Sequence, residues 1–269
     1  MRRPIITLTT DFGLSDHFAG VMKGVILAIC PSAEIIDISH EITPFEIREA
    51  AFVLAQSYVF FPSKTVHVVV VDPGVGTSRR PILVEGGGQH FIAPDNGVLS
   101  MIYSREKVCV REITAKKYFL KNVSHTFHGR DIFAPVAAHL AAGVAPGRFG
   151  KRIEDYLRSD FEKPVRSGKR IWSGTILKID RFGNLITNFS REEFAHIREH
   201  LFELTIGPHR VARLAENYAE GGFGELFAIF GSSGYLEISA NQASAARVVG
   251  CAAGAQVELT IYPARGRTF

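Results

Sequence analysis

The chain has 269 residues, of which 46% are hydrophobic and 22% charged, and a formal net charge of +4. This is the composition of an ordinary globular protein with core enough for one large domain or two smaller ones. The basic residues are scattered, with short clusters at Arg2-Arg3, Arg79-Arg80 and Arg265 to Arg267, so no basic stripe points to nucleic acid.

No segment stays apolar for the roughly 18 residues a membrane span needs. The N-terminus runs from Met1-Arg2-Arg3-Pro4 straight into a strand, with no signal-peptide core and cleavage site. Cys30, Cys109 and Cys251 form no CxxC pair or metal set. The expectation is a cytoplasmic protein with neither nucleic acid nor membrane as partner.

Residues 5–10 are a β-prone first strand that ends on Asp11-Phe12-Gly13. The apolar spacing of Ala19, Val21, Met22, Val25, Ile26 and Ile29 predicts a helix over 16–29, capped by Ser15 or Asp16 and stopped by Pro31. A short strand over 35–38, a loop through His40 and Phe45, and a helix over 46–58 follow. Val68-Val69-Val70-Val71 then reads as a strand buried on both faces, in the middle of a mostly parallel sheet. It stops abruptly at Asp72-Pro73-Gly74-Val75-Gly76, which puts a carboxylate where open α/β sheets bind their ligands. Arg79 lies seven residues on, close enough to fold back onto Asp72.

Residues 81–85 and 90–93 read as a hairpin around Gly86-Gly87-Gly88, and Pro94-Asp95-Asn96-Gly97 as a turn before a helix over 98–103. After Phe127-His128-Gly129 comes a helix from Asp131 to about Ala142, with Pro135 in its first turn. This alternation of strand and helix predicts an N-terminal α/β domain over 1–150 with a central, mostly parallel sheet. The stretch from about 143 to 168 is rich in Gly, Pro and charge, and 151–168 is expected to be a linker. Beyond it, β-prone runs over 173–180, 185–189, 202–206, 211–214, 226–230, 236–239 and 257–262 predict a C-terminal all-β barrel over 169–269.

The chemistry is narrowed first by absences. There is no GxxxxGK[ST] loop, no GxGxxG after the first strand, no GxSxG elbow and no HExxH or Cys/His cluster. What remains is Asp11, Asp72, Arg79 and His128. An Asp beside an Arg stays ionised, and an Asp near a neutral His can hold and polarise a water. The same residues also admit a plain ion pair, a structural histidine, or a metal held by Asp11, Asp72 and His128.

The motifs Thr9-Thr10-Asp11-Phe12-Gly13, Asp37-Ile38-Ser39-His40, Val71-Asp72-Pro73-Gly74-Val75-Gly76-Thr77 with Arg79, Ala93-Pro94-Asp95-Asn96-Gly97, Phe127-His128-Gly129-Arg130-Asp131, Asp180-Arg181-Phe182-Gly183-Asn184 and Gly234-Tyr235-Leu236 run the length of the chain. Together they resemble the S-adenosyl-L-methionine hydroxide adenosyltransferase family, whose halide-using relatives are fluorinase and chlorinase. The resemblance implies hydrolysis of S-adenosyl-L-methionine to adenosine and L-methionine, with no cofactor and no metal. It implies a homotrimer with substrate at the subunit interface. It assigns the handling of water to Asp72, Arg79 and His128, and the ribose hydroxyls to Asp11. Asp180 would meet the methionine ammonium, Phe182 and Asn184 the nucleoside, Ser232 and Ser233 the methionine carboxylate, and Phe45 the sulfonium. Phe227, Tyr235 and Asn241 complete the expected substrate-binding set. A histidine at position 128 and the lack of an extra loop after Tyr103 favour water over halide. The alternatives are a binding module that holds adenosine or S-adenosylmethionine without turnover, and a halide transferase.

Overall fold

The computed structural model describes residues 3–160 and 163–263; Arg2 and the cluster from Arg265 to Arg267 lie outside them. The described residues form two compact units that divide between Ser159 and Asp160. Residues 151–159, expected in the linker, are held by the first unit. Glu112 N donates to the Lys151 carbonyl, Ile153 N to that of Val110, and Leu157 N to Asp95 Oδ1, while Tyr156 is buried.

In the first unit the elements run β1 (Ile5–Thr10), α1 (Phe18–Ile29), β2 (Glu34–Ser39), α2 (Ile47–Ser57), β3 (Val66–Val70), β4 (Pro81–Gly86), β5 (Gln89–Pro94), α3 (Ser100–Arg105), β6 (Cys109–Glu112) and α4 (Ala134–Ala141). The sheet order is β2-β1-β3-β5-β4-β6. Strands β2, β1, β3 and β5 are parallel; β4 pairs antiparallel with both β5 and β6. The sheet is therefore mixed, because the hairpin closed by Gly87-Gly88 turns the chain back beside β5.

The valine run is buried on both faces, as its composition demands. Val66, Val68 and Val70 pack with Met22 and Ile26 of α1 and with Val136 and Ala137 of α4. Val69 and Val71 pack on the other face with Ala50 and Leu54 of α2 and with Ile102 of α3. The period-two alternation of one strand thus supplies two cores. Helix α1 starts at Phe18, and neither Ser15 nor Asp16 caps it; His17 stands at the N-cap without a side-chain bond. The helix after His128 also differs from expectation. It opens with a π turn over Gly129–Phe133 before α4 begins.

In the second unit the elements run β7 (Val165–Arg166), β8 (Ile171–Ile179), β9 (Leu185–Ser190), α5 (Arg191–Phe194), β10 (Phe202–Ile206), β11 (His209–Val211), β12 (Leu214–Ala215), β13 (Leu226–Phe230), β14 (Tyr235–Ala240), α6 (Ala245–Val249) and β15 (Gln256–Ile261). Their nine strands form one mixed, curled sheet, β11-β10-β15-β8-β9-β14-β13-β12 with β7 beside β8. Its edge strands β11 and β12 are not hydrogen-bonded to each other, so the described strands do not close into the expected barrel. The run expected as one strand over 211–214 is split between β11 and β12. Among the described residues no helix is long and apolar enough to cross a membrane.

One polar side chain sits inside the valine strand. His67 is fully buried, between Thr7 Oγ1 on Nδ1 (2.7 Å) and Gln89 Oε1 on Nε2 (2.9 Å). Gln89 Nε2 donates to the Tyr58 and Phe61 carbonyls, so its Oε1 is an acceptor and His67 Nε2 carries the proton. Burial, first, lowers the His67 pKa to about 4. The unfolded chain therefore takes up a proton near pH 6.5 that the folded chain refuses until near pH 4. Stability is lost as pH falls through this window, by about 3 kcal/mol from this group. Urea unfolding between pH 7 and pH 4 is expected to show that fall, and His67→Gln to flatten it.

Candidate active site

The geometry of the first unit's site follows from strand order. Strand β1 is flanked by β2 on one side and β3 on the other, so the crossovers diverge there. Ligands bind outside the carboxyl ends of strands at such a switch point. Thr10 pairs with Val70. Asp11 and Asp72, the first and second residues past those partners, therefore emerge side by side.

Both carboxylates line a cavity of about 300 Å³ together with Phe12, Phe45, Phe127 and His128. Asp11 Oδ2 accepts a hydrogen bond from Phe45 N at 2.9 Å. Burial pushes the Asp11 carboxyl up; the amides of Phe45 and of Asp11 itself pull against this, and the charge of Asp72 adds to it. Phe45 has a φ of +70°, strained for a non-glycine residue, and its bond to Asp11 helps to hold it there. Its ring is exposed at the cavity wall.

Asp72 and Arg79 are nearly closed off, with side chains 5% and 9% exposed. Arg79 Nε donates to Asp72 Oδ1 at 2.9 Å and Nη2 donates to Oδ2, a two-pronged pair. The same Nη2 lies 2.8 Å from His128 Nδ1. A guanidinium only donates, so Nδ1 of His128 is the acceptor and the imidazole is neutral. Burial, then the charge of Arg79, lowers the His128 pKa, and a bond to the Ser124 backbone works in the opposite direction. Arg79 also stacks over Phe133 in the π turn, 5.2 Å from the ring centre. Its Nη1 is buried without a partner.

Two distant loops must meet to bring Arg79 and His128 together. Gly76 allows it: a Cβ there would lie 2.1 Å from the His125 carbonyl oxygen, and its φ is +78°. Buried Asp131 secures the second loop by accepting from Ser124 N at 2.8 Å. Asn96 Nδ2 donates to the Val71 carbonyl at 2.8 Å, which pins the chain just before Asp72. Behind β1, His40 is buried between Thr10 Oγ1 (2.8 Å) and Asp37 Oδ1 (3.0 Å).

The second unit has its own cavity, of about 780 Å³, lined by Asp180, Phe182, Asn184, Ser232 and Ser233 from the expected set. Asp180 accepts from Phe182 N, Asn184 N and Asn184 Nδ2 at 2.8–2.9 Å. Three residues expected as substrate contacts lie outside the cavity's lining. Phe227 is fully buried beside Ala215 and Ile229, because the alternation along β13 turns it into a small core; its ring backs Tyr218. Tyr235 is buried at the start of β14. Asn241 ties a loop, its Nδ2 donating to the Gly221 carbonyl at 2.6 Å.

Sequence reasoning missed Tyr218 and Glu237, which line this cavity. The signal for Glu237 was present, since Leu236-Glu237-Ile238 sets one carboxylate inside an apolar strand. Among the described residues no group of three or more His, Cys, Asp or Glu is placed to hold a metal ion, and Asp11, Asp72 and His128 form no such group.

The first unit is thus an α/β unit with a cavity at its strand switch point, and the second a curled β unit with a cavity of its own. Residues 6–150 match the N-terminal domain of SAM hydroxide adenosyltransferase and residues 174–258 its C-terminal domain. The chain belongs to the SAM hydroxide adenosyltransferase family. A relative from Salinispora tropica, named (R)-S-adenosyl-L-methionine hydrolase, is 34% identical over 96% of this chain and 98% of its own. The crystal structure of an uncharacterized conserved protein from Thermotoga maritima, 41% identical, superposes with a TM-score of 0.86 over 95% of this chain and 99% of that one. Fluorinases are more distant; that of an Actinoplanes species is 29% identical over 96% of this chain and 97% of its own.

The Arg79 contact makes a prediction. The His128 imidazole should titrate below the ordinary value of about 6.5 in an NMR pH series, and Arg79→Met should move the midpoint upward. An unshifted midpoint in the variant would show that Arg79 does not hold His128 neutral.

Proposed function

We propose that the protein hydrolyses S-adenosyl-L-methionine to adenosine and L-methionine, by attack of water on the ribose C5′. The relatives' printed names support this reaction. The observation that carries the reading is the Asp72–Arg79–His128 chain set beside Asp11 at the carboxyl edge of β1 and β3.

The substrate's chemistry suits so small a set of groups. The water oxygen forms a bond to C5′, the C5′–S bond breaks, and its electron pair stays on sulfur. Methionine leaves as a neutral thioether, so no general acid is required for the leaving group. One proton is released from the water. The task is to present one oxygen about 3 Å from C5′, in line with sulfur, and to keep other water out.

In this reading Asp11 grips the ribose hydroxyls and Asp72 holds the water. His128 has given its Nδ1 lone pair to Arg79, so it positions the guanidinium, and the proton passes toward Asp72. Both oxygens of Asp72 already accept hydrogen bonds from Arg79. The proton therefore leaves late, after the C–O bond has begun to form. The aromatic side chains of Phe12, Phe45 and Phe127 suit a cationic sulfonium.

The amino-acid and base portions are assigned to the second unit's cavity, with Asp180 toward the ammonium, Phe182 and Asn184 toward the nucleoside, and Ser232 and Ser233 toward the carboxylate. We place the whole substrate between the first unit of one subunit and the second unit of a neighbour, in a homotrimer. The exposed rings of Phe45 and Phe182, one on each cavity, support a partner there. The three free thiols fit a reducing, cytoplasmic setting.

Turnover in ¹⁸O-labelled water should yield adenosine carrying one heavy oxygen at C5′; unlabelled adenosine removes the mechanism. Chloride or fluoride supplied in its place should give no 5′-halo product, and tight binding without turnover would mark a binding module instead. Asp72→Asn and His128→Ala should each lower kcat by about 10²-fold or more, with sedimentation still reporting three chains. Full activity in both variants overturns the assignment.

A further inference from the structure

Glu237 is a buried carboxylate in the second unit, only 4% exposed to solvent. It sits in the middle of β14 and faces the 780 Å³ cavity. Its two partners are hydroxyls: Tyr218 donates to Oε2 at 3.1 Å and Ser233 to Oε1 at 3.5 Å. No lysine, arginine or histidine among the described residues pairs with it.

The backbone is nevertheless shaped around this carboxylate. A Cβ at Gly231 would lie 1.7 Å from Glu237 Oε1, so a larger residue there would displace the carboxylate. Arg191 donates from Nη2 to the Phe230 carbonyl at 2.6 Å and fixes that turn from behind. The groups facing Glu237 are Tyr218 from the loop after β12, Ser233 from the loop before β14, and Asp180 from the turn between β8 and β9. Arg247 of α6 lines the same cavity but is exposed and forms no pair with Glu237. Burial, first, and then the charge of Asp180 raise the Glu237 pKa, while burial and Glu237 push the Tyr218 hydroxyl up to about 12.

A buried carboxylate with only neutral donors, beside a second carboxylate, is stable when protonated or when a cation arrives. Asp180, which the proposed function also sets toward the ammonium, already accepts three N–H bonds from its own turn, so a second carboxylate is needed to match the ammonium's donors. Glu237 accepts no such bond. The cation brought by the proposed substrate that can donate several hydrogen bonds is the α-ammonium of its amino-acid half; the sulfonium has no proton to give.

We infer that Glu237 is a specificity residue that reads this α-ammonium group. The inference rests on the hydrolase reading for the identity of the ligand, but its test does not use hydrolysis. On the acid side of neutrality, where burial and the neighbouring Asp180 favour its protonated form, Glu237 gives up a proton when the ammonium docks, leaving a carboxylate–ammonium pair with Tyr218 and Ser233 donating.

The test is calorimetric binding of L-methionine and of 4-(methylthio)butanoate, which lacks the ammonium, in the presence of adenosine. The wild-type protein should prefer methionine by tenfold or more. Glu237→Gln keeps the shape and the two hydroxyl contacts, and should abolish the preference. A preference retained in that variant, or absent from the wild type, overturns the inference. Wild-type binding in two buffers of different ionisation enthalpy decides independently of whether the variant folds. Proton release on the acid side of neutrality with methionine, and none with the butanoate, is expected; no release with methionine overturns it. Failure of the hydrolase reading appears separately, in the labelled-water experiment.

Discussion

The parallel pairing of β1 with β3 is the constraint on which the first cavity depends. Once Thr10 lies opposite Val70, Asp11 and Asp72 must leave the sheet together. Two carboxylates at one edge repel, and burial raises the cost of charging both. Arg79 answers for only one of them. Its fork closes on Asp72 and its remaining reach goes to His128, so the guanidinium links a loop after β3 to a loop that comes some fifty residues later. The fit of Gly76 under His125 is a consequence of that link.

The second unit follows the same arrangement with different residues. Asp180 is satisfied by N–H donors from its own turn, while Glu237 faces the cavity with hydroxyls alone. In each cavity one carboxylate is fixed by the protein and the other is under-compensated. Asp11 and Glu237 are also the two whose acidity burial weakens. In the proposed function, ligand hydroxyls answer the first of these and an ammonium the second.

How much of this was legible depended on whether the signal was local. Val68 to Val71 read as a strand buried on both faces, and the Asp-Pro-Gly that ended it marked the carboxyl edge beside which the first cavity lies. Asp11 was readable for the same reason. The antiparallel turn of β4 was not, because apolar runs are alike in parallel and antiparallel pairs. The π turn at Gly129–Phe133 was hidden too, since its sequence is equally good α-helix; the extra residue is inserted to satisfy tertiary packing around Arg79 and Phe133. Phe227 lies in a small core outside the cavity's lining, a placement that its aromatic character does not reveal. Residues 151–159 looked like a linker by composition, yet Asp95 and Val110 bind their backbone through contacts that sequence spacing does not reveal.

The histidine shows why such contacts change a mechanistic assignment. By residue type alone, His128 is the natural general base. With Nδ1 facing a guanidinium that cannot accept, it holds no free lone pair there to offer a water. Protonating it would set two cations against each other, which is why Arg79 lowers its pKa. In the proposed mechanism its contribution is orientation: a neutral acceptor that holds the fork of Arg79 on Asp72. For a sulfonium leaving group this suffices. The bond to sulfur is already primed to break, so the limiting resource is a correctly aimed oxygen and not a strong base. A site built for aim favours rigid, buried ion pairs over an accessible imidazole, and that is the arrangement found at the carboxyl edge of β3.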